Sequence, residues 1–347
     1  MRKSVLLFLL TVLSVSVYLQ SCSPKAQPTT KVITAPGTTG NAENLTRETS
    51  EPSDEFYPRI SSDGHYLFYN VIETTTTRTG GSGGLGAFMK ALEGDLSGYT
   101  PDIKTNKKTK IVRKEIGSPT TNPLKDNAAD ATQMPNGNIL FTYVLPIKPV
   151  IAYSSPDGVG INYVSQGALG DDDSQPVISR DGTKIVFTTL IGDNRMICSM
   201  DQKGGNFTVI TEGYKPIFHP TDPNKLVYNF VVEKHPQIFT LDIKTGQKSQ
   251  LTTGEYNNKD AAFSVDGQFI AFVSNRENPK LSRHHVYVMR SNGTDVKQIT
   301  QGETDEADPA WGPDGMLYFA CDAAKNYSIW KARPRISSTT TGTVTTR

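Results

Sequence analysis

The residues most able to do chemistry are acids that recur in front of short apolar stretches. The chain as a whole is almost neutral, with 36 basic and 35 acidic residues. Acids that gather on one surface of such a protein create a local negative field, which attracts cations and basic peptides. The candidate binding residues are Asp54, Glu55, Asp172, Asp173, Glu212, Asp260, Asp305 and Asp308.

A local structural role is the alternative for part of this set. An Asp or Glu just before a strand often accepts hydrogen bonds from nearby backbone N–H groups. This interpretation applies most directly to Asp173, Asp260 and Asp308, while Lys215 and Lys259 are the bases that oppose the acids in sequence. The remaining acids are then freer to contact a partner.

The other reactive residue types form no catalytic or metal-binding pattern. Among the five histidines only His284 and His285 are adjacent, and a strand would point them to opposite faces. Residues 80–86 match both a nucleophile elbow and a dinucleotide-binding fingerprint. Both motifs need a helix after the glycines, and the sequence predicts none. We therefore predict no catalytic residue, no metal site and no cofactor.

The acids belong to a repeated unit built around an Asp-Gly turn. In the clearest copy, residues 259–300 are predicted to form four short strands, with residues 269–274 and 285–290 as the second and third. Similar turns begin near residues 63, 136, 181, 222, 266 and 314. Apart from a wider first gap, they follow one another at about 40–50 residues, the period of a four-stranded propeller blade. Six turns predict six blades.

Three copies of the unit resemble a known repeat. The sequences PVISRDG at 176–182, AFSVDG at 262–267 and PAWGPDG at 309–315 are each followed by an apolar strand. They resemble the WD40-like repeats of the TolB propeller. The resemblance covers about residues 44–336 and implies an all-β fold, a six-bladed β-propeller of four-stranded antiparallel blades.

The first and last repeats are incomplete in complementary ways. Residues 43–46 look like the closing strand of a blade before any blade has begun, and no fourth strand follows the last repeat. We predict that this N-terminal strand completes the last blade and closes the ring, which leaves no free sheet edge. The propeller would then span residues 43–336, followed by a disordered threonine-rich tail at 337–347.

A polar insertion interrupts the first repeat. Residues 74–86 read TTTTRTGGSGGLG, which predicts a flexible hairpin tip. Four lysines follow at Lys104, Lys107, Lys108 and Lys110. A short basic run of this kind predicts a solvated turn.

The N-terminus has the pattern of a lipoprotein signal. Arg2 and Lys3 precede an apolar segment, and Leu19-Gln20-Ser21-Cys22 resembles a bacterial lipobox. A membrane-spanning helix, the alternative, needs about 20 apolar residues, more than this segment offers. The resemblance implies removal of residues 1–21, lipid attachment at Cys22 and a flexible tether at 22–42. It also implies the outer membrane as the location, because Ser23 is not the Asp that retains lipoproteins at the inner membrane.

Three functions fit these features. The favoured one is a non-catalytic, lipid-anchored scaffold whose channel mouth binds outer-membrane or periplasmic proteins of an envelope complex. TolB itself has a separate N-terminal domain that we do not recognise here, so the resemblance implies an envelope partnership rather than the full TolB role. The balanced charge argues against a nucleic-acid partner.

The two alternatives place chemistry or a ligand at the same mouth. A lyase or hydrolase propeller would need a cluster of basic and aromatic residues near the axis, for which the candidates are Arg195, Tyr214, Arg276 and His285. A glycan- or small-ligand-binding uptake protein could stack sugars on Tyr57 and Trp311.

Overall fold

The computed structural model describes residues 35–82, 100–165, 170–323 and 326–336, with backbone only at 77–82 and 100–104. All of these residues lie in one compact unit, Ile33–Arg347. They form strands joined by turns, and none of them forms a helix long and apolar enough to cross a membrane. The predicted signal peptide, Cys22 and the threonine-rich tail lie outside the described residues.

Twenty-four of the strands form six antiparallel sheets of four, which we number as blades 1 to 6. Blades 1 to 3 contain, in order, β3 (Asp54–Ile60), β4 (Tyr66–Ser82), β5 (Thr100–Glu115) and β6 (Thr121–Asp126); β7 (Ala128–Gln133), β8 (Ile139–Val144), β9 (Pro149–Ser154) and β10 (Asn162–Tyr163); and β11 (Ser174–Ile178), β12 (Ile185–Ile191), β13 (Asn194–Met200) and β14 (Thr208–Glu212).

The second half of the ring repeats the pattern. Blades 4 to 6 contain β15 (Tyr214–Phe218), β16 (Lys225–Val232), β17 (His235–Asp242) and β18 (Lys248–Gln250); β19 (Asn258–Phe263), β20 (Phe269–Ser274), β21 (His285–Arg290) and β22 (Lys297–Gln298); and β24 (Glu306–Trp311), β25 (Leu317–Cys321), β26 (Ser328–Pro334) and β2 (Ala42–Arg47). A separate pair joins β1 (Gly37–Thr38) to β23 (Thr300–Gln301).

The first strand of each blade faces the centre of the ring. β3, β7, β11, β15, β19 and β24 each contact the first strands of both neighbouring blades, so together they form the wall of a central channel. Blade 6 contacts blade 1 in the same way that the other blades contact one another. The predicted all-β fold of six four-stranded blades is confirmed.

Each pair of neighbouring blades encloses its own apolar cluster. Between blades 6 and 1, for example, Leu67, Tyr69 and Val71 pack against Tyr318 and Ala320. Second strands such as β20 are apolar on both faces because each face meets a different neighbour. Burying one large apolar side chain contributes about 1.5–3 kcal/mol, so stability is distributed over six interfaces.

A small side-chain network fixes the turn between first and second strands. In blade 5, Ser264 Oγ donates to Asp266 Oδ1 at 2.6 Å and accepts a hydrogen bond from the N–H of Phe269 at 2.9 Å. Gly267 has a φ of 72°, a left-handed conformation that favours glycine. The same bonds recur in blades 1 and 3, which explains why the Asp-Gly turn marks the repeat in the sequence.

The fourth strand of blade 6 comes from the N-terminal side of the domain. β2 pairs antiparallel with β26, with Ala42 opposite Pro334. Ala42 and Leu45 also join the apolar cluster between blades 5 and 6. The shorter strand β1, expected to lie in the tether, is paired with β23 of the propeller.

The second and third strands of blade 1 extend well beyond its other two. Residues 73–82 and 100–109, which we call the arm, pair with each other but not with β3 or β6. Lys107 and Lys108 have exposed side chains. They lie on a strand of the arm rather than in the predicted turn, because the pairing of β4 with β5 continues through them.

We expect removal of β2 to destabilise the whole propeller. A chain that begins after Leu45 loses two of the four residue pairs that join β2 to β26, the short strand β1, and two apolar side chains from the cluster between blades 5 and 6. The expected drop in melting temperature is about 5–10 °C, measured by circular dichroism. A chain that begins at Ala35 is the control and keeps β2. Equal melting temperatures of the two chains would show that β2 adds no stability.

Candidate functional site

Each of the six first strands carries a β-bulge at the same place. One residue at the bulge has a φ between 51° and 59°, a left-handed backbone that costs about 1–3 kcal/mol for a residue other than glycine. A bulge takes its residue out of the ladder and re-aims the side chain. The six bulge residues are Tyr57, Asp130, Gln175, Lys215, Asp260 and Asp308.

Lys215 is the centre of one half of the channel. Its Nζ lies 2.5 Å from Asp260 Oδ1, 2.8 Å from Asp308 Oδ1 and 4.5 Å from the centre of the Tyr57 ring. The two aspartate side chains are only 4% and 6% exposed. Burial alone would lower the pKa of Lys215, but the two carboxylates outweigh burial and hold this pKa well above its ordinary value. Burial conversely raises the pKa of Asp260, but Lys215 brings it below its ordinary value.

The other half of the channel is a hydrogen-bond network around Asp130. Thr142 Oγ1 and the backbone N–H of Gln175 donate to Asp130 Oδ2 at 3.0 and 3.2 Å. The Gln175 side-chain amide donates to the Tyr57 hydroxyl at 3.0 Å, and its oxygen accepts from the backbone N–H of Lys215 at 3.1 Å. The network connects blades 1, 2, 3 and 4 around the axis. Burial raises the pKa of Asp130.

The two networks leave little open space beside them. Cavities of about 20 Å³ remain on either side of the Lys215 and Tyr57 side chains. A volume of this size holds about one water molecule. Among the described residues, the side chains around Lys215 and Tyr57 therefore occupy most of the channel at this depth.

A second recurring position, two residues before the bulge, holds buried polar side chains. Its polar members are Glu55, Asp173, Asn258 and Glu306. Glu306 accepts a hydrogen bond from Thr300 Oγ1 of β23 at 2.7 Å and lies 2.8 Å from Nδ1 of His285 in blade 5. Asp173 accepts from Thr189 Oγ1 at 2.6 Å. Glu306 thus ties its blade to the preceding blade, while Asp173 bonds within its own.

Glu55 forms the corresponding link between blades 1 and 6. It accepts hydrogen bonds from Thr49 Oγ1, just after β2, and from the N–H of Ile329 at 3.3 Å. Its side chain is fully buried. Burial raises the pKa of Glu55 to about 7, and these hydrogen bonds oppose the rise only in part.

The predicted acids separate into two groups. Glu55, Asp173, Asp260 and Asp308 are buried and hydrogen-bonded within the propeller. The other four lie at the end of the ring where the first strands begin, and we call this end the mouth face. Its predicted acids are Asp54, Asp172, Glu212 and Asp305.

The mouth-face acids differ in how firmly they are held. Glu212 is exposed, and Asp172 lies 3.5 Å from the half-exposed guanidinium of Arg195. Asp305 accepts a hydrogen bond from the Tyr327 hydroxyl at 2.6 Å and lies 3.0 Å from His284 Nδ1. Asp172 and Glu212 are therefore the acids best placed to meet a partner.

Three of the residues considered for catalysis or sugar stacking are held by separate partners. His285 contacts Glu306, while Arg276 stacks on Tyr287 with its guanidinium carbon 4.7 Å from the ring centre. Tyr57 lies under Lys215 in the channel. Within the described ranges, no three His, Cys, Asp or Glu side chains are grouped to hold a metal ion.

The sequence analysis does not predict the channel network, although it names Lys215 and Tyr57 in separate roles. The sequence does contain a signal for the bulge position, because the residue that follows the bulge residue is Pro or Ala in every blade. These following residues are Pro58, Ala131, Pro176, Pro216, Ala261 and Pro309. Aligning the repeats on this position places the six side chains at one level of the channel.

Comparisons with known proteins agree with the propeller. A family model described as "TolB beta propeller domain" matches residues 181–346. Over 78 residues, 22% of the chain, the sequence is 32% identical to an uncharacterized peptidase, YuxL, of Bacillus subtilis. Over 193 residues, 49% of the chain, it is 25% identical to the uncharacterized protein Atu1656 of Agrobacterium fabrum. The matches span 11% and 64% of these two relatives.

Solved structures with the same fold include two TolB structures and a lyase. TolB from Acinetobacter baumannii has a TM-score of 0.52 at 18% identity, over 65% of this chain and 59% of the other. A candidate TolB from Agrobacterium tumefaciens has 0.56 at 16% identity, over 81% and 91%. An oligogalacturonate lyase in complex with manganese has 0.51 at 11% identity, over 87% and 98%. At these identities the likeness concerns the fold alone.

The buried Glu55 carboxyl predicts a pH dependence of stability. Folding raises its pKa from 4.5 to about 7, so the folded chain holds this proton more tightly than the unfolded chain. The resulting stability is complete below pH 4.5 and is lost as the pH rises through 7. The loss is on the order of 3 kcal/mol. In the variant E55Q, which cannot ionise here, this part of the pH dependence disappears.

Urea unfolding between pH 5 and pH 8 measures the effect. The free energy of unfolding of the wild-type protein should fall relative to that of E55Q as the pH rises. The control is E115Q, which neutralises an exposed acid at the other end of the ring and should keep the wild-type pH dependence. Parallel pH profiles for E55Q and the wild type would contradict the raised pKa.

Proposed function

We propose that this chain, which carries a TolB-like β-propeller, is an envelope protein that binds another protein through the mouth face. The observation that carries the proposal is how the charges are distributed. In the channel, Lys215 is enclosed by Asp260 and Asp308. At the mouth face, Glu212 is exposed. The groups able to attract a partner therefore lie on the surface, at the entrance, rather than inside the channel.

The arm adds a second recognition element next to this surface. It projects from the same end of the ring, because β4 runs towards the mouth face and β5 returns from it. Its outer backbone edges are unpaired within the described residues. An unpaired edge can accept a further strand from a partner. Lys107 and Lys108 give the arm a charge opposite to that of the mouth-face acids.

These two elements favour a protein partner over a small ligand. A basic patch on the partner would meet Asp172 and Glu212, while an extended segment would pair along the arm. Surface charges of this kind contribute more to association rate and specificity than to affinity. Main-chain pairing along the arm would supply affinity.

We further propose that the protein is anchored to the outer membrane through lipid on Cys22. The support is the sequence Leu19-Gln20-Ser21-Cys22 and the polar segment that follows it. Several acyl chains on one residue give stable anchoring. Confinement to the membrane surface would raise the effective concentration of the mouth face near membrane-bound partners.

A propeller enzyme is the alternative, and no contact in the described part favours it. The likeness to a lyase is a likeness of fold, at 11% identity. Fold likeness is a weak argument for a shared reaction, because function depends on the residues of the site. In the channel the acids best placed for acid–base chemistry, Asp260 and Asp308, are held by Lys215.

Detergent extraction tests the docking proposal. The native protein is extracted gently from membranes, and the proteins that accompany it are identified and quantified by mass spectrometry. We expect an envelope protein in stoichiometric amount with the wild type. With the variant D172N/E212Q, recovery of this envelope protein should fall by roughly tenfold at physiological salt. The variant removes two charges that attract the partner, and salt screens the charges that remain.

The control is E115K, which also changes the net charge by two, at the opposite end of the ring. It should retain the partner. Equal recovery with D172N/E212Q and the wild type would contradict docking at the mouth face. Recovery of the wild-type protein in the soluble fraction, before detergent is added, would contradict the lipid anchor.

A further inference from the structure

A cavity of about 550 Å³ opens between blades 5 and 6 at the end of the ring opposite the mouth face. Its walls come from the Asp-Gly turns of both blades and from the end of β26. A volume of this size is in the range of small-molecule sites. The side chains in its lining include Val265, Phe269, Trp311, Arg333 and Ile336.

At two other turns at this end of the ring, a side chain from the neighbouring blade covers the glycine of the turn. A Cβ added to Gly64 of blade 1 would lie 2.9 Å from Pro313 of blade 6. A Cβ added to Gly267 of blade 5 would lie 2.4 Å from His219 of blade 4. Each of these two glycines is therefore covered by a side chain of the preceding blade.

Between blades 5 and 6 the cover is missing. Around Gly315 of blade 6, the nearest atom that an added Cβ would meet is Arg333 Nη1 of the same blade, at 3.3 Å. Val265 of blade 5 stands where Pro313 stands in blade 6, but it is 52% exposed and lies on the wall of the cavity. The cavity thus lies where the turn of blade 5 does not reach the glycine of the blade 6 turn.

A cation, the guanidinium of Arg333, and an aromatic side chain, Trp311, both line the cavity. Arg333 donates one hydrogen bond, from Nη1 to the carbonyl oxygen of Asp314 at 3.0 Å. No carboxylate of the described residues lies within ion-pair distance of its guanidinium. A guanidinium has five N–H donors, and this hydrogen bond uses one of them. Trp311, half-buried, supplies the aromatic wall.

One acid, Asp266, also lines the cavity, and its carboxylate is hydrogen-bonded within its own turn. Asp266 accepts hydrogen bonds from Ser264 Oγ at 2.6 Å and from the N–H of Gln268 at 3.0 Å. The same bonds hold the equivalent acids of blades 1 and 3. The polar group that this cavity offers to a ligand is therefore Arg333.

We propose that this cavity binds a small organic carboxylate that carries one apolar ring or chain. Arg333 would receive the carboxylate through paired N–H donors, the geometry in which guanidinium and carboxylate bind best. Trp311, Phe269, Val265 and Ile336 would enclose the apolar part. The site is on the other end of the ring from the mouth face and does not depend on the docking function proposed above.

Titration calorimetry on the full chain tests the proposal with a matched pair of probes. The probes are 4-phenylbutyrate and its amide, 4-phenylbutanamide, which share the ring and differ in charge. The wild type should bind the carboxylate roughly tenfold more tightly than the amide, the ratio expected from one charge-assisted contact. The variant R333Q should bind both probes equally.

A second variant tests where the probes bind and leaves the charge of Arg333 unchanged. V265W places a large side chain on the exposed wall of the cavity and should abolish binding of both probes while Arg333 is intact. Absence of saturable binding by the wild type would overturn the proposal. So would equal affinity of the wild type for both probes, a carboxylate preference that survives in R333Q, or unchanged binding by V265W.

Discussion

The enclosure of the Lys215 ammonium by Asp260 and Asp308 is the interaction on which the centre of the propeller depends. These three side chains come from three different blades, and each is aimed inward by a bulge with strained backbone. A buried charge without its partner is strongly unfavourable, whereas a matched and hydrogen-bonded pair can be accommodated. The blades must therefore close around the ammonium together, which couples the geometry of blades 4, 5 and 6 at the axis.

The polar side chains inside the ring bond to one another, whereas those at its two ends are available to other molecules. The bulge residues satisfy one another, and the buried Glu55 and Glu306 join their blades to blades 6 and 5. Groups that remain available to other molecules lie at the ends, as exposed acids and the arm on the mouth face, and as Arg333 in the cavity opposite. A propeller can host many functions on one ring because its ends vary independently of its core.

The sequence predicted those features that depend on local pattern. β20 and β21 span the predicted residues because each is a short apolar run bounded by turn residues. The channel network depends instead on contacts between distant residues, since Lys215 bonds to partners 45 and 93 positions away. No local pattern reveals such a contact. The predicted turn at Lys107 is wrong for a similar reason, because its pairing partner, Thr74, lies in a polar segment without strand periodicity.

The most direct test of the central ion pairs is the free energy of unfolding of the variant K215M, compared with the triple variant K215M/D260N/D308N. If the ammonium neutralises two buried carboxylates, the free energy of unfolding of K215M should be about 3–5 kcal/mol lower than that of the wild type. The triple variant also removes the two carboxylate charges and should recover most of that stability. Lys225→Met, at an exposed lysine, controls for the loss of a positive charge. A K215M variant within about 1 kcal/mol of the wild type, or a triple variant less stable than K215M, would contradict the role assigned to Lys215.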